Sequence, residues 1–143
     1  MNVLMGIGNS LNGDDGIGPW VAQHFHHKNW KTIDCGTVPE NFTGPVKKWS
    51  PDLLVMVDAA DMNLPPGEIR CIPPERISEL HLSTHALPLS LLINHLQGTI
   101  KKSVLVGIQP KRFSGPLSCE VHNAGKHLIH ILTMDTISSI QSL

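Results

Sequence analysis

The chain has 143 residues, the length of one ordinary domain with room for a single substantial core. A hydrophobic fraction of 41% against 16% charged residues excludes a disordered chain. A formal net charge of −1 excludes the broad basic field of a nucleic-acid-binding protein, and no acidic tail is present. The N-terminus lacks a basic segment followed by a long apolar run, so no secretory signal is expected. No run of about 18 apolar residues suggests a membrane span. The three cysteines, Cys35, Cys71 and Cys119, are odd in number and far apart, which reads as free thiols in a reducing cytoplasm. The nine histidines are scattered and make the net charge sensitive to pH.

Apolar runs alternate with helical patterns along the chain. Asn2–Met5 reads as a first buried strand, followed by a helix from about Gly16 to His27 with Ile17, Trp20, Val21, His24 and Phe25 on one face. Thr32–Cys35 is a short second strand leading into the loop from Gly36 to Asn41, and a short helix is expected from Asn41 to Trp49 despite Pro45. Leu53–Val57 is a continuous apolar run, as a strand buried on both faces should be. Gly67–Ile72 reads as a strand near an edge. Ser83 or Thr84 is expected to cap a helix through His85, Leu87, Leu91, Leu92 and His95, with Pro88 tolerated in the first turn. Ser103–Val106 is the next buried strand, and a last helix starts near Ser118 with Val121, Leu128, Ile131 and Leu132 turned inward. This order predicts an α/β fold: one three-layer domain over residues 1–143, with a mostly parallel twisted sheet of about five strands flanked by helices on both faces.

The segment from Gly6 to Pro19 sets two adjacent carboxylates, Asp14 and Asp15, in a glycine-rich turn between strand and helix. Such turns often cradle a phosphate, but the dinucleotide pattern G-x-G-x-x-G breaks at Leu11, and residues 1 to 27 contain no Lys or Arg. The acid pair would also oppose a phosphate at the helix entrance. A small nucleotide-binding protein is therefore disfavoured, and a metal or acid/base role suits the pair better.

In an open α/β sheet, functional groups gather beyond the carboxyl ends of the strands. Asp14 and Asp15 follow the first strand, Asp58 ends the third, and His85, preceded by His81, begins the helix after the fourth. Two carboxylates and one imidazole make a donor set suited to zinc, nickel or another divalent ion. The competing structural readings are a helix cap for Asp14, a turn for Asp61, surface positions for single histidines and packing for Trp20.

The segments Gly6-Ile7-Gly8-Asn9-Ser10, Gly13-Asp14-Asp15-Gly16-Ile17-Gly18-Pro19 and Gly36-Thr37-Val38-Pro39-Glu40-Asn41 occur in order. They are followed by Val57-Asp58-Ala59-Ala60-Asp61-Met62, Pro66-Gly67-Glu68-Ile69-Arg70, Ser83-Thr84-His85 and Gly107-Ile108-Gln109-Pro110. With these blocks the chain resembles the hydrogenase maturation endopeptidases, in particular the branch that processes the large subunit of hydrogenase 3-type enzymes. The resemblance covers about residues 2 to 110. It implies an endopeptidase that removes a short C-terminal extension from a nickel–iron hydrogenase large-subunit precursor after nickel insertion. It assigns the metal-contacting and catalytic roles to Asp15, Asp58 and His85. The nickel is expected to arrive on the substrate, with zinc or cadmium able to substitute in vitro. Asp14 is expected as a helix cap, a support behind Asp15 or a substrate contact. Gly36, Glu40 and Asn41 are candidate substrate contacts, and Asp61 is a candidate for orienting Asp58 or its loop. The protein is expected to act as a cytoplasmic monomer, whether the mechanism is aspartic-type or metal-assisted. The alternative is a maturation chaperone that binds nickel or the precursor without cutting it.

Overall fold

The computed structural model describes residues 1–82, 86–96 and 98–143. Its regular elements are β1 (Asn2–Ile7), α1 (Ile17–His24), β2 (Trp30–Gly36), α2 (Thr43–Trp49), β3 (Leu53–Asp61), β4 (Ile69–Ile72), β5 (His81–Leu82), α3 (Ala86–Leu96), β6 (Lys102–Ile108) and α4 (Cys119–Thr133). The main sheet runs in the order β2-β1-β3-β6-β4. β1, β2, β3 and β6 are parallel, whereas β4 lies antiparallel on β6 at the edge. The two-residue β5 pairs antiparallel with the far end of β3, at Ala60 and Asp61.

Alternation along the strands builds two cores. Val3, Met5 and Ile7 of β1 and Leu54 and Met56 of β3 point to one face, under Val46 of α2 and Leu89, Leu92, Ile93 and Leu96 of α3. Leu4 of β1 and Val55, Val57 and Ala59 of β3 point to the other, under Ile17 and Val21 of α1 and Val121 and Leu128 of α4. Both faces of the central strands are covered, which explains why they read as unbroken apolar runs. The expected three-layer α/β architecture is thus the observed one.

Close approach between α1 and the sheet depends on Gly18. A Cβ there would lie 2.5 Å from the Val57 carbonyl oxygen, a contact that no side-chain adjustment relieves. α1 is shorter than its sequence pattern suggests. It ends at His24, because Phe25 takes an extended conformation, is fully buried and sets its ring edge-on to Trp30 at 5.2 Å. Burial of this ring outweighs another helical turn.

β3 is longer than expected. It continues through Asp58 to Asp61, with Asp58 opposite Gly107 and Ala59 opposite Ile108 of β6. Asp58 is therefore a strand residue rather than the residue that ends the strand, since the ladder to β6 carries on past the first charged position. α2 forms with Pro45 in its first turn, where a missing N–H costs little, and follows a 3-10 turn at Pro39–Phe42. The 3-10 segment Pro74–Glu79 and β5 had no sequence signal. The expected caps Ser83 and Thr84 lie outside the described residues, as does His85. α4 starts as expected, with the Ser118 hydroxyl accepting from Val121 N at 3.4 Å. The outer edge of β4 is covered by residues 141–143, where Cys71 N donates to Gln141 O at 2.8 Å and Leu143 N to Cys71 O at 2.9 Å. Among the described residues, no helix is long and apolar enough to cross a membrane.

Candidate active site

β1 has β2 on one side and β3 on the other. The connection through α1 runs over one face and that through α2 over the opposite face. The strand order therefore reverses at β1, and the crevice beyond the carboxyl ends of β1 and β3 is where an α/β sheet places its functional groups. The 3-10 turn Gly13–Gly16, which carries Asp14 and Asp15, packs against β3, which carries Asp58. The exit of β1 is shaped by Gly8. Its N–H donates to Gly36 O at 2.8 Å, its φ is +147°, and a Cβ on it would run into the carbonyl oxygen of Asp15. Only glycine allows the strand to turn out against the acid pair in this way.

The two adjacent acids have opposite environments. Asp14 is fully buried. Its Oδ2 accepts from Lys111 N at 2.8 Å, Arg112 N at 3.1 Å and the Ser118 hydroxyl at 2.8 Å, and its Oδ1 accepts from Ser118 N at 2.7 Å. Burial pushes its carboxyl upward, but the backbone amides of Ser118, Lys111 and Arg112 and the Ser118 hydroxyl outweigh burial and hold it below the usual carboxylate range. Asp14 thus caps no helix that follows it. It binds the N-cap residue of α4 and clamps residues 111–118 onto the turn. Both of its oxygens are taken up by the chain's own donors.

Asp15 remains partly open to solvent. Burial, and then the negative charge of Asp14, raise its carboxyl above the usual value. Asp58 is fully buried within β3. A carboxyl that holds its proton more firmly, on a turn packed against the strand that carries a second, buried acid, is suited to proton transfer.

The remaining candidates spread around this crevice. Gly36 stands at the end of β2 with φ +54°, and its N–H donates to Asp34 Oδ1 at 3.0 Å. Nothing would meet a Cβ there, so its backbone faces open space. Glu40 and Asn41 are exposed on the Pro39–Phe42 turn. Glu40 borders an open cavity of about 480 Å³ with Thr43, Leu91, Leu92 and His95. Asp61 is exposed, and its Oδ1 accepts from Asn63 N at 3.2 Å and Gln109 Nε2 at 3.1 Å, so it organises its own loop. His85 lies outside the described residues, and among those described no group of three His, Cys, Asp or Glu side chains comes together to hold a metal. Gln109, absent from the expected site residues, is buried at the exit of β6 and holds the loop after β3. Its sequence signal is the block Gly107-Ile108-Gln109-Pro110, which carries part of the resemblance and sets an amide just past an apolar strand.

Comparison with known proteins places this geometry in context. Residues 20–135 match a family described as hydrogenase maturation protease. The chain is 43% identical over 113 residues to the hydrogenase 3 maturation protease of Escherichia coli K12, covering 76% of this chain and 72% of that protein. The solution structure of the endopeptidase HycI from Escherichia coli superposes with a TM-score of 0.88 at 34% identity, covering 100% of this chain and 96% of that one. The crystal structure of the NiFe-hydrogenase maturation protease HycI from Thermococcus kodakarensis gives 0.82 at 27% identity, covering 94% and 91% of the two chains.

Proposed function

The chain belongs to the hydrogenase maturation proteases, and we propose that it is the endopeptidase that removes the C-terminal extension of a nickel–iron hydrogenase large-subunit precursor after nickel insertion. The observation that carries this reading is the packing of the Asp15 turn against the strand bearing Asp58, at the point where the strand order reverses. The precursor is the partner and the nickel is its cargo. Asp15, Asp58 and His85 offer oxygen and nitrogen donors of the kind that accept nickel, and the same donor set suits zinc or cadmium as in vitro stand-ins. The cargo ion supplies Lewis-acid polarisation where it is bound. The chain's own carboxylates do the proton work. One accepts a proton from the attacking water, and the protonated group then returns it to the leaving amine. Before the cargo ion arrives, burial and the Asp14 charge hold the Asp15 carboxyl above the usual value.

An extended substrate segment is held by the open backbone around Gly36, with Glu40 and Asn41 at the rim. The three thiols are free, as suits a protein working in the cytoplasm. The test is incubation of purified precursor, with and without nickel, with the wild-type protein and with Asp15→Ala, Asp58→Ala and His85→Ala, scored by C-terminal mass. Each variant is expected to cleave the nickel-loaded precursor at least about 100-fold more slowly. Wild-type rates in all three would sink the assignment. Equal cleavage of nickel-free precursor would remove the metal check and leave the protease intact.

A further inference from the structure

Gln109 is 7% exposed and stands one residue past β6. The backbone ladder between β3 and β6 stops at the pair Ala59 and Ile108. Beyond that point the Gln109 side chain takes over. Its Oε1 accepts from Met62 N at 2.6 Å and Leu64 N at 3.3 Å, and its Nε2 donates to Asp61 Oδ1 at 3.1 Å. A primary amide carries the same donor and acceptor as a peptide unit, so the side chain serves as an extra rung between strands that have run out of ladder. The main chain of Gln109 is also engaged, with its N–H donating to Glu68 O and its carbonyl accepting from Gly67 N, each at 2.9 Å.

Two functional segments depend on this rung. On the β3 side it holds Asp61 to Leu64, which begin three residues after Asp58, at the point where β5 pairs. The chain leaving β5 reaches His85 three residues later. On the β6 side the next residues but one, Lys111 and Arg112, give their amides to Asp14 and so hold the turn that carries Asp15. Packing alone would be served by a leucine, and burying an amide carries a desolvation cost that its hydrogen bonds must offset. What the amide adds is register.

We propose that Gln109 is the positioning residue of the cleavage site: its buried amide ties the exit of β3 to the exit of β6 and thereby sets Asp58 against the Asp14–Asp15 turn. The proposal rests on the cleavage reading above. Its test uses the full chain with nickel-loaded precursor and compares Gln109→Ala, Gln109→Glu and Gln109→Glu with Asp61→Asn, alongside Asp58→Asn. Gln109→Ala is expected to lower kcat about 10- to 100-fold with KM within about twofold, because displaced reacting groups cost turnover rather than binding. Gln109→Glu keeps an acceptor oxygen for Met62 N and Leu64 N but sets a second oxygen, without a donor proton, against Asp61. It is expected to lose about tenfold in kcat, most of it restored by Asp61→Asn. Should Gln109→Ala not fold, Gln109→Glu and its double variant decide. Wild-type kcat per folded molecule in the single variants, or a Gln109→Glu loss untouched by Asp61→Asn, overturns the proposal. An inactive Asp58→Asn beside fully active Gln109 variants overturns it alone. A fully active Asp58→Asn overturns the cleavage reading and takes this proposal with it.

Discussion

Replacing Asp14 tests the clamp on which the site is built. Asp14→Ala removes four hydrogen bonds to a carboxylate and leaves Ser118 N buried without that acceptor, and Lys111 N and Arg112 N half-buried. A buried amide left unsatisfied costs about 1–3 kcal/mol, and amides that water can partly reach cost less, about 1 kcal/mol each. The sum is about 3–5 kcal/mol, a large share of the roughly 5–15 kcal/mol that stabilises a domain. At about 3 °C per kcal/mol for a chain of this size, Tm falls by about 10–15 °C. Asp14→Asn can place its oxygen where Oδ2 sits, but its amide then meets Ser118 N donor to donor, so about 2–3 kcal/mol is expected. Thermal and urea unfolding of the three proteins provide the measurement. A loss below about 1 kcal/mol for Asp14→Ala would refute the clamp.

The pH dependence adds an independent check. Asp14 is held below its ordinary value of 3.8 in the folded state, so the unfolded chain binds the proton more tightly. Its stabilisation is complete above that ordinary value and is lost as pH falls through the depressed folded value. The gap between wild type and Asp14→Asn therefore stays constant near neutrality and narrows in acid. Asp15 acts with the opposite sign. Its raised carboxyl favours folding while protonated, and that contribution disappears as pH rises from the ordinary value through the raised one.

Gly8→Ala forces a Cβ into the Asp15 carbonyl at a backbone angle of φ +147°, so a loss of about 2 kcal/mol or more and at least tenfold slower precursor cleavage are expected. Unfolding in urea and the C-terminal mass assay measure the two effects, and an unchanged cleavage rate would show that Asp15 does not depend on this turn. Cys35 is buried, and its thiol is pushed up to about 12, first by burial and then by the charges of Asp34 and Glu40, whereas Cys119 is exposed. A thiol reagent followed by mass spectrometry should label Cys119 at once and Cys35 only on unfolding. Equal labelling rates would contradict the burial of Cys35.

Much of the fold was legible because the central strands are buried on both faces. The runs containing Val3–Met5, Leu54–Val57 and Val104–Val106 needed no partner to be recognised as strands, and Ser118 announced the start of α4 by its own chemistry. The boundaries were less readable. Phe25 breaks α1 because a pocket beside Trp30 exists for it, and β3 passes through Asp58 because β6 offers a matching ladder. The β6 partner of Asp58, Gly107, lies far from it in sequence. Although Trp30 is close to Phe25 along the chain, the core that buries the ring is assembled from β1, β3, α1 and α4. β5 is two residues long and exists only as a pairing with β3.

The sequence by itself determined that carboxylates would stand at the carboxyl ends of parallel strands, since apolar runs, glycines and acids follow one another along the chain. It did not decide which member of the Asp14–Asp15 pair is sealed in the fold and which stays open. That choice belongs to the tertiary structure, because the donors that bind Asp14 lie 97 to 104 residues away, on Lys111, Arg112 and Ser118. Once those amides close around Asp14, its charge is fixed inside, and Asp15 is the acid left beside the crevice with its proton held more tightly.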